Sequence, residues 1–191
     1  MGNAESPSGI IIEPATAADV DEIVRIEEAC FSAPWTRKML EAELVGNQFS
    51  SFLVAKQADH ASNDIRLLGY VCFWVVFEEL RIMNVAVAPS ARRRGIARQL
   101  IVRALESGRE KSAAKGLLEV RASNTAARRL YGALGFREAS VRTRYYTNPI
   151  EDAILMETPF QRPRGPAGMD SSASLEDSSA TVDSINGGGA T

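Results

Sequence analysis

Histidine is nearly absent from this 191-residue sequence, with His60 the single example, and cysteine occurs only twice, at Cys30 and Cys72. Neither cysteine stands at metal-binding or redox spacing, and both have apolar neighbours. The pattern therefore predicts two buried, reduced thiols and argues against a disulfide, a metal site or a cysteine nucleophile. His60, in a polar loop, is expected to be solvated. No apolar run approaches the roughly 18 residues of a membrane span, and Met1-Gly2-Asn3-Ala4-Glu5-Ser6 lacks a basic region followed by an apolar one. A cytoplasmic location and no membrane partner are the expectation. An excess of charge is missing too, since 22 basic residues face 24 acidic ones. A nucleic-acid partner is accordingly disfavoured, because there is no overall basic charge and no pattern of basic and stacking aromatic residues.

What the sequence does have is enough apolar material, 45% of its residues, for one substantial core. Residues 1–8 have no periodicity and are expected to be loose. Residues 161–191 are rich in Ser, Gly, Ala and acidic side chains with hardly any large apolar ones, so they cannot repay their ordering entropy and should be disordered. That leaves one domain over 9–160. Its charge is unevenly spread: Glu13 to Glu43 holds eight acidic residues against three basic, and Arg81 to Tyr131 twelve basic against three acidic. The basic half would attract an anionic cofactor and the acidic half a cationic substrate, unless the acidic residues are ordinary solvated helix faces.

Taken in order, Gly9-Ile10-Ile11-Ile12 reads as a short strand. A helix capped by Thr16 or Asp19 follows, with Val20, Ile23, Val24 and Ile26 among its apolar positions, and a second begins at Thr36 and stops near Gly46-Asn47. Phe49 to Lys56, Leu67 to Phe77 and Arg81 to Val87 read as three antiparallel strands. Ile96, Leu100, Ile101, Ala104 and Leu105 recur at helical spacing, Leu117 to Val120 is a buried strand, and Asn124 caps a helix that Gly135 stops. Strands around Arg137–Tyr146 and Ala153–Glu157 close the domain. The order β-α-α-β-β-β-α-β-α-β-β predicts an α/β fold, a mixed sheet with helices on both faces.

One junction is chemically loaded. The strand ending at Ala88-Pro89 turns through Arg92-Arg93-Arg94-Gly95 into a helix whose first N–H groups have no internal partner and whose dipole puts positive charge there. Phosphate is the natural guest, with Gly95 allowing close backbone approach and the arginines supplying charge-assisted donors. An arginine-rich, solvated helix start is the alternative reading.

Arg92-x-x-Gly95-x-Ala97 after Val85-Ala86-Val87 resembles the acetyl-CoA pyrophosphate loop of the GNAT N-acetyltransferases. Leu118-Glu119-Val120-Arg121-Ala122-Ser123-Asn124 and Leu130-Tyr131-x-x-Leu134-Gly135-Phe136 resemble a narrower group, the bacterial ribosomal-protein-alanine N-acetyltransferases, over roughly residues 10 to 158. The resemblance implies the GNAT acyl-CoA N-acyltransferase fold, acetyl-CoA as co-substrate, no metal, and the N-terminal alanine of a small-subunit ribosomal protein as acceptor. It implies cofactor contacts at Val85, Ala86, Val87, Arg92, Arg93, Arg94, Gly95, Ile96, Ala97 and Asn124. It also implies a strand that splays away beside Val85–Val87 to admit the pantetheine arm, and a Pro34-Trp35 loop bordering the peptide groove. A broader or lysine-directed acetyltransferase, or a non-enzymatic acyl-CoA-binding regulator, remains open.

Acyl transfer needs the amine neutral, the thioester carbonyl polarised and the departing thiolate protonated. Glu119 lies in the apolar run Leu117-Leu118-Glu119-Val120, where burial would raise its pKa towards a base, and the resemblance makes it the general base, acting through water. Tyr131 lies two helical turns beyond Asn124 on the same helix face, and could protonate the thiolate. From the residues alone, Glu119 could equally be an ion-pair partner, Tyr131 a core tyrosine, Asn124 a mere N-cap, and Phe31 and Trp35 core plugs.

Overall fold

In the computed structural model, residues 9–59 and 64–160 are described. They form strand β1 (Ile10–Pro14), helices α1 (Val20–Cys30) and α2 (Arg37–Glu41), strands β2 (Ser50–Asp59), β3 (Asp64–Val76) and β4 (Glu79–Val87), helix α3 (Ile96–Glu110), strand β5 (Lys115–Arg121), helix α4 (Thr125–Ala133), and strands β6 (Arg137–Thr147) and β7 (Ile150–Pro159). This is the expected order. His60 and the two chain ends, expected to be solvated, loose and disordered respectively, lie outside the described residues.

Local chemistry sets the helix ends. The Asp19 carboxylate accepts from the Thr16 N–H at 2.8 Å and hydroxyl at 3.0 Å, closing a turn before α1. Thr36 Oγ1 accepts from Met39 N at 3.3 Å to start α2, which runs on as one π-helical turn over Ala42–Gly46. Asn124 Oδ1 accepts from Ala127 N at 3.1 Å to start α4, and Gly135, at φ 91°, takes the left-handed conformation after it.

The seven strands form one sheet in the order β1-β2-β3-β4-β5-β7-β6. Only β4 and β5 run parallel. One face is covered by α1 and α2, through Ile23, Ile26 and Leu40 against Phe52, Val54 and Tyr70. The other packs on α3 and α4, with Leu80, Ile82, Ile96, Leu100, Leu118 and Tyr131 in the larger cluster. Among the described residues no helix is long and apolar enough to cross a membrane.

Two irregularities coincide in the middle of this sheet. Cys72 faces Asn84 across the β3–β4 ladder but Phe73 faces Ile82, so Met83 is an extra residue, a β-bulge. Because side chains alternate along a strand, one extra residue sends the side chains beyond it to the opposite face. Leu80 and Ile82 accordingly join the α3 side, and Ala86 joins the α1 side. The β4–β5 ladder also ends here, after four pairs from Glu79↔Lys115 to Ile82↔Leu118. Beyond Leu118, β5 stays paired with β7, from Glu119↔Leu155 to Arg121↔Ala153, while β4 keeps only β3. The sheet is therefore split between Met83–Val87 and Glu119–Arg121.

On the far side of β4 the packing is tight. A Cβ placed on Gly69 would lie 2.6 Å from Ala86 O and 3.2 Å from Val87 Cα, and backbone atoms cannot rotate away. Gly69→Ala should therefore destabilise the domain by about 1–3 kcal/mol, the usual cost of overpacking, and shift its urea midpoint down without changing the slope. An unchanged midpoint would mean that β3 and β4 move apart freely.

Candidate active site

The split in the sheet opens into a cavity of about 420 Å³. Glu119, Asn124 and Tyr131, far apart in sequence, all line it, together with Val85. Ala86, Val87 and Arg92–Ala97 do not. The expected residues thus fall into two groups, one lining the cleft and one in a separate loop at the end of β4.

Alternation along β5 fixes how the cleft residues approach. Leu118 and Val120 point into the α3–α4 core, so Glu119 and Arg121 project from the face that carries α1. Tyr131 arrives from α4 on the other side. A carboxylate and a phenol therefore reach the opening from opposite faces of the sheet.

Glu119 is partly buried among its apolar neighbours. Its side chain is 24% exposed and meets Arg142 Nη1 at 3.1 Å. A partly exposed ion pair of this kind is worth at most about 1 kcal/mol, so an incoming amine or water can displace Arg142. Tyr131 is buried, and packs edge-on against Phe136 at 5.9 Å between ring centroids. Burial pushes its pKa up to about 12, with a smaller contribution from Tyr146. Among the described residues no hydrogen-bond partner holds its hydroxyl, which is not sealed from solvent and opens on the cavity.

The loop after β4 is built for an anion. Arg93 (φ 66°) and Gly95 (φ 77°) both adopt the left-handed conformation. For Arg93 this costs about 1–2 kcal/mol, which marks the turn as imposed by its surroundings. The first bond into α3 runs from Gln99 N to Gly95 O at 3.1 Å, so the N–H groups of Ile96, Ala97 and Arg98 have no backbone partner among the described residues. The three arginines diverge. Arg92 reaches back to Val87 O at 3.3 Å and Cys30 Sγ at 3.4 Å, Arg94 reaches Gln57 on β2 at 2.8 Å, and Arg93 makes no side-chain hydrogen bond among the described residues. The free helix N–H groups, the left-handed turn and Arg93 fit a phosphate.

Cys30 departs from the burial expected of it. It is half-buried, lines the cavity and donates to Val87 O at 3.4 Å, because α1 ends beside the opening. Cys72 is buried as expected, and burial pushes its thiol up to about 12.

The other wall consists of the α1–α2 loop, with Phe31 and Trp35 both packed on the core and lining the cavity, and the β6–β7 turn. Ser32 Oγ donates to Asn148 O at 3.1 Å, joining the two. Arg121 braces the turn by donating to Asn148 O at 2.9 Å and Pro149 O at 3.2 Å, pairing with Glu151 and stacking on Tyr146 at 4.1 Å. Of the acidic cluster, seven of eight have structural partners: Glu13 and Asp19 on Lys56, Asp21 and Glu41 on Arg37, Glu22 on Leu67 N, Glu43 on Trp74, and Glu27 within the core. Packing, more than attraction for a substrate, accounts for these residues.

Two residues, one lining the cavity and one buried behind it, have no place among the sequence candidates. Glu27 is fully buried and accepts from Trp35 N at 2.6 Å, Asn84 Nδ2 at 2.8 Å and the Tyr70 hydroxyl. Burial raises its pKa, against those hydrogen bonds. Its signal is positional: in the stripe Val20, Ile23, Val24, the next core-facing position, 27, carries a carboxylate. Asn84 follows the bulged Met83 and leaves no such trace.

Residues 20–136 match the Acetyltransferase (GNAT) family. The ribosomal protein bS18-alanine N-acetyltransferase of Salmonella typhimurium is 34% identical over 147 residues, 76% of this chain and 94% of that protein. The crystal structure of the ribosomal-protein-S18-alanine N-acetyltransferase from Escherichia coli superposes with a TM-score of 0.73 at 29% identity, covering 84% of this chain and 99% of that one. Arabidopsis thaliana NAA60 in complex with acetyl-CoA shares the fold, with a TM-score of 0.70 at 20% identity over 78% of this chain and 98% of that one.

Gly95 offers a direct test of the loop. A Cβ there meets nothing within 4 Å, but the left-handed φ is strained for any L residue and a carboxylate would oppose a phosphate. Gly95→Glu should weaken acetyl-CoA binding at least tenfold in calorimetry while the melting temperature falls only slightly. Unchanged affinity in the folded variant would remove the loop from the phosphate site.

Proposed function

The chain belongs to the GNAT family of acetyltransferases and is an acetyl-CoA-dependent N-acetyltransferase, and on that premise we propose that it acetylates the N-terminal alanine of a small-subunit ribosomal protein. Acetyl-CoA brings the acetyl group as a thioester, activated for attack by an amine. The observation that carries the reading is the single cavity shared by Glu119, Asn124 and Tyr131, together with about one-third identity over nearly the full length of relatives that bear this activity in their names. The Ser32–Asn148 bridge favours a chain end as acceptor, because a continuous polypeptide lying across that wall would have to part it.

In this reading the loop residues Arg93, Gly95, Ile96 and Ala97 hold the pyrophosphate, with Arg92 and Arg94 adding positive charge, and Val85, Ala86 and Val87 flank the acyl arm along the unpaired edge of β4. Asn124, while capping α4, also faces the cofactor. Glu119 removes a proton from the incoming α-amine, directly or through water, on the α1 face. Tyr131 donates its hydroxyl hydrogen towards the sulfur from the α4 face. A phenol with its pKa pushed up to about 12 stays protonated throughout the neutral range. Since a thiol titrates near about 8.5, complete proton transfer from Tyr131 would run uphill, and the hydroxyl stabilises the departing thiolate chiefly as a hydrogen-bond donor. The 161–191 segment takes no part, so a chain ending at 160 should keep its turnover.

The acceptor is tested by mass spectrometry of peptides with alanine, serine, methionine and blocked N termini after incubation with acetyl-CoA. Acetyl on the alanine α-amine is the expected product, and acetyl on lysine alone would defeat the reading. The roles of Glu119 and Tyr131 are separated by kcat/KM across pH. Glu119→Gln should be slow near neutrality and recover partly at higher pH, where an α-amine of pKa about 8 deprotonates unaided. Tyr131→Phe should lose about 10²–10⁴-fold with no rescue by base. Near-wild-type rates for both at neutral pH would overturn these roles while leaving the acetyltransferase assignment intact.

A further inference from the structure

Among the described residues, the Glu27–Asn84 pair is a buried carboxylate fastened to a cavity-lining amide, and the mechanism above uses neither. Glu27 is fully buried, and such a charge is retained only where hydrogen bonds compensate it. It has three: the Tyr70 hydroxyl from β3, Trp35 N from the substrate-side loop and Asn84 Nδ2 from β4. Two of these donors are core or backbone groups. The third belongs to a side chain that lines the cavity where β4 and β5 part.

The consequence for Asn84 is an orientation. Its Nδ2 is committed to Glu27 Oε1 at 2.8 Å, a carboxylate that accepts and cannot donate while ionised, so the amide cannot turn over without losing that bond. Its Oδ1 therefore occupies the opposite side of the amide and has no partner among the described residues. The bulge at Met83 is what sends Asn84 to the α1 face, the face from which Glu119 projects and along which Phe31 and Trp35 line the groove. The result is an amide acceptor of fixed polarity, made more strongly accepting because its N–H is bound to a carboxylate.

We propose that Asn84 Oδ1 receives the N–H of the substrate's terminal amine in this groove, with Glu27 as the positioning residue that holds the amide in its accepting sense. An amide oxygen takes up one N–H of a neutral amine without being basic enough to keep its proton. The lone pair is left free for the acyl carbon and the remaining proton for Glu119. The inference rests on the peptide-acetyltransferase reading above and assigns a specificity residue that the sequence motifs do not include.

The test uses the full chain saturated with CoA, so that no turnover occurs, and two peptides: one beginning with alanine, and the same peptide with its first residue replaced by propionyl, which lacks only the amine. Calorimetry at pH 9, where an α-amine of pKa about 8 is neutral, should show the wild type preferring the amine peptide by on the order of tenfold, the loss expected when a hydrogen-bonding group is left without its partner. Asn84→Ala should bring that ratio towards one while CoA affinity stays unchanged. Asn84→Ser, a smaller perturbation of the strand, should do the same if the alanine variant folds poorly. Glu27→Gln, which turns one oxygen into a donor and frees the amide to rotate, should also lower the ratio; a purely structural role would lower the melting temperature and leave the ratio alone. A ratio unchanged in both Asn84 variants overturns the proposal, and one unchanged in Glu27→Gln overturns the positioning role. If the wild type binds neither peptide, the peptide-acetyltransferase reading itself fails, and this inference with it.

Discussion

The organisation of the domain depends on the loss of strand pairing halfway along β4. Four parallel pairs join it to β5 and then stop at Ile82↔Leu118, and the bulged Met83 occupies the point of departure. An interrupted ladder is costly inside a sheet, because backbone groups that no longer pair need other partners. The flanking strands stay fully paired on their outer sides, β4 to β3 and β5 to β7, and this holds the opening in shape. What it leaves is an edge of backbone in the interior of the sheet, which is where an acyl arm can lie.

The same irregularity distributes the side chains. Without the extra residue Asn84 would point with Ile82 into the α3 core, and Glu27 would lose one of the donors that make its burial tolerable. With it, two layers of chemistry meet at one opening: carboxylate and amide from the α1 face, phenol from the α4 face. Their environments differ. Tyr131 is buried and its pKa is pushed up to about 12, so its hydroxyl keeps its hydrogen throughout the neutral range. Glu119 is partly wet and held by a weak ion pair, so it remains available to exchange partners.

The groove is completed by contacts between distant segments. Ser32 in the α1–α2 loop reaches Asn148 in the β6–β7 turn, and Arg121 fastens that turn to the end of β5 through two carbonyls, a carboxylate and an aromatic ring. Strand β6 is exposed along nearly its whole length, and its irregular pairing with β7 around Arg142–Tyr146, with Arg144 N bonded to Asp152, interrupts what would otherwise be a long free edge. This end of the groove is therefore built on the part of the sheet with the fewest apolar anchors, and Arg121 braces it.

Periodicity and punctuation in the sequence were enough for the element order, the caps at Thr16 or Asp19, Thr36 and Asn124, the stop at Gly135 and the placing of helices on both faces of a mixed sheet, because most of these depend on residues close together in the chain. The loop at Arg92–Ala97 and the seven-residue spacing of Asn124 and Tyr131 were legible for the same reason. Burial was less so. Glu119 has apolar neighbours in sequence yet meets Arg142, because β6 lies beyond β7 and delivers its cation across the sheet. Most of the acidic residues between Glu13 and Glu43 are tied to Lys56, Arg37, Trp74 and the Leu67 N–H, whose distance in space no local pattern encodes. The bulge at Met83 was invisible because an apolar strand reads alike with or without one extra residue. Which face Asn84 occupies, and that a buried glutamate stands behind it, were decided only when β3, β4 and α1 came together.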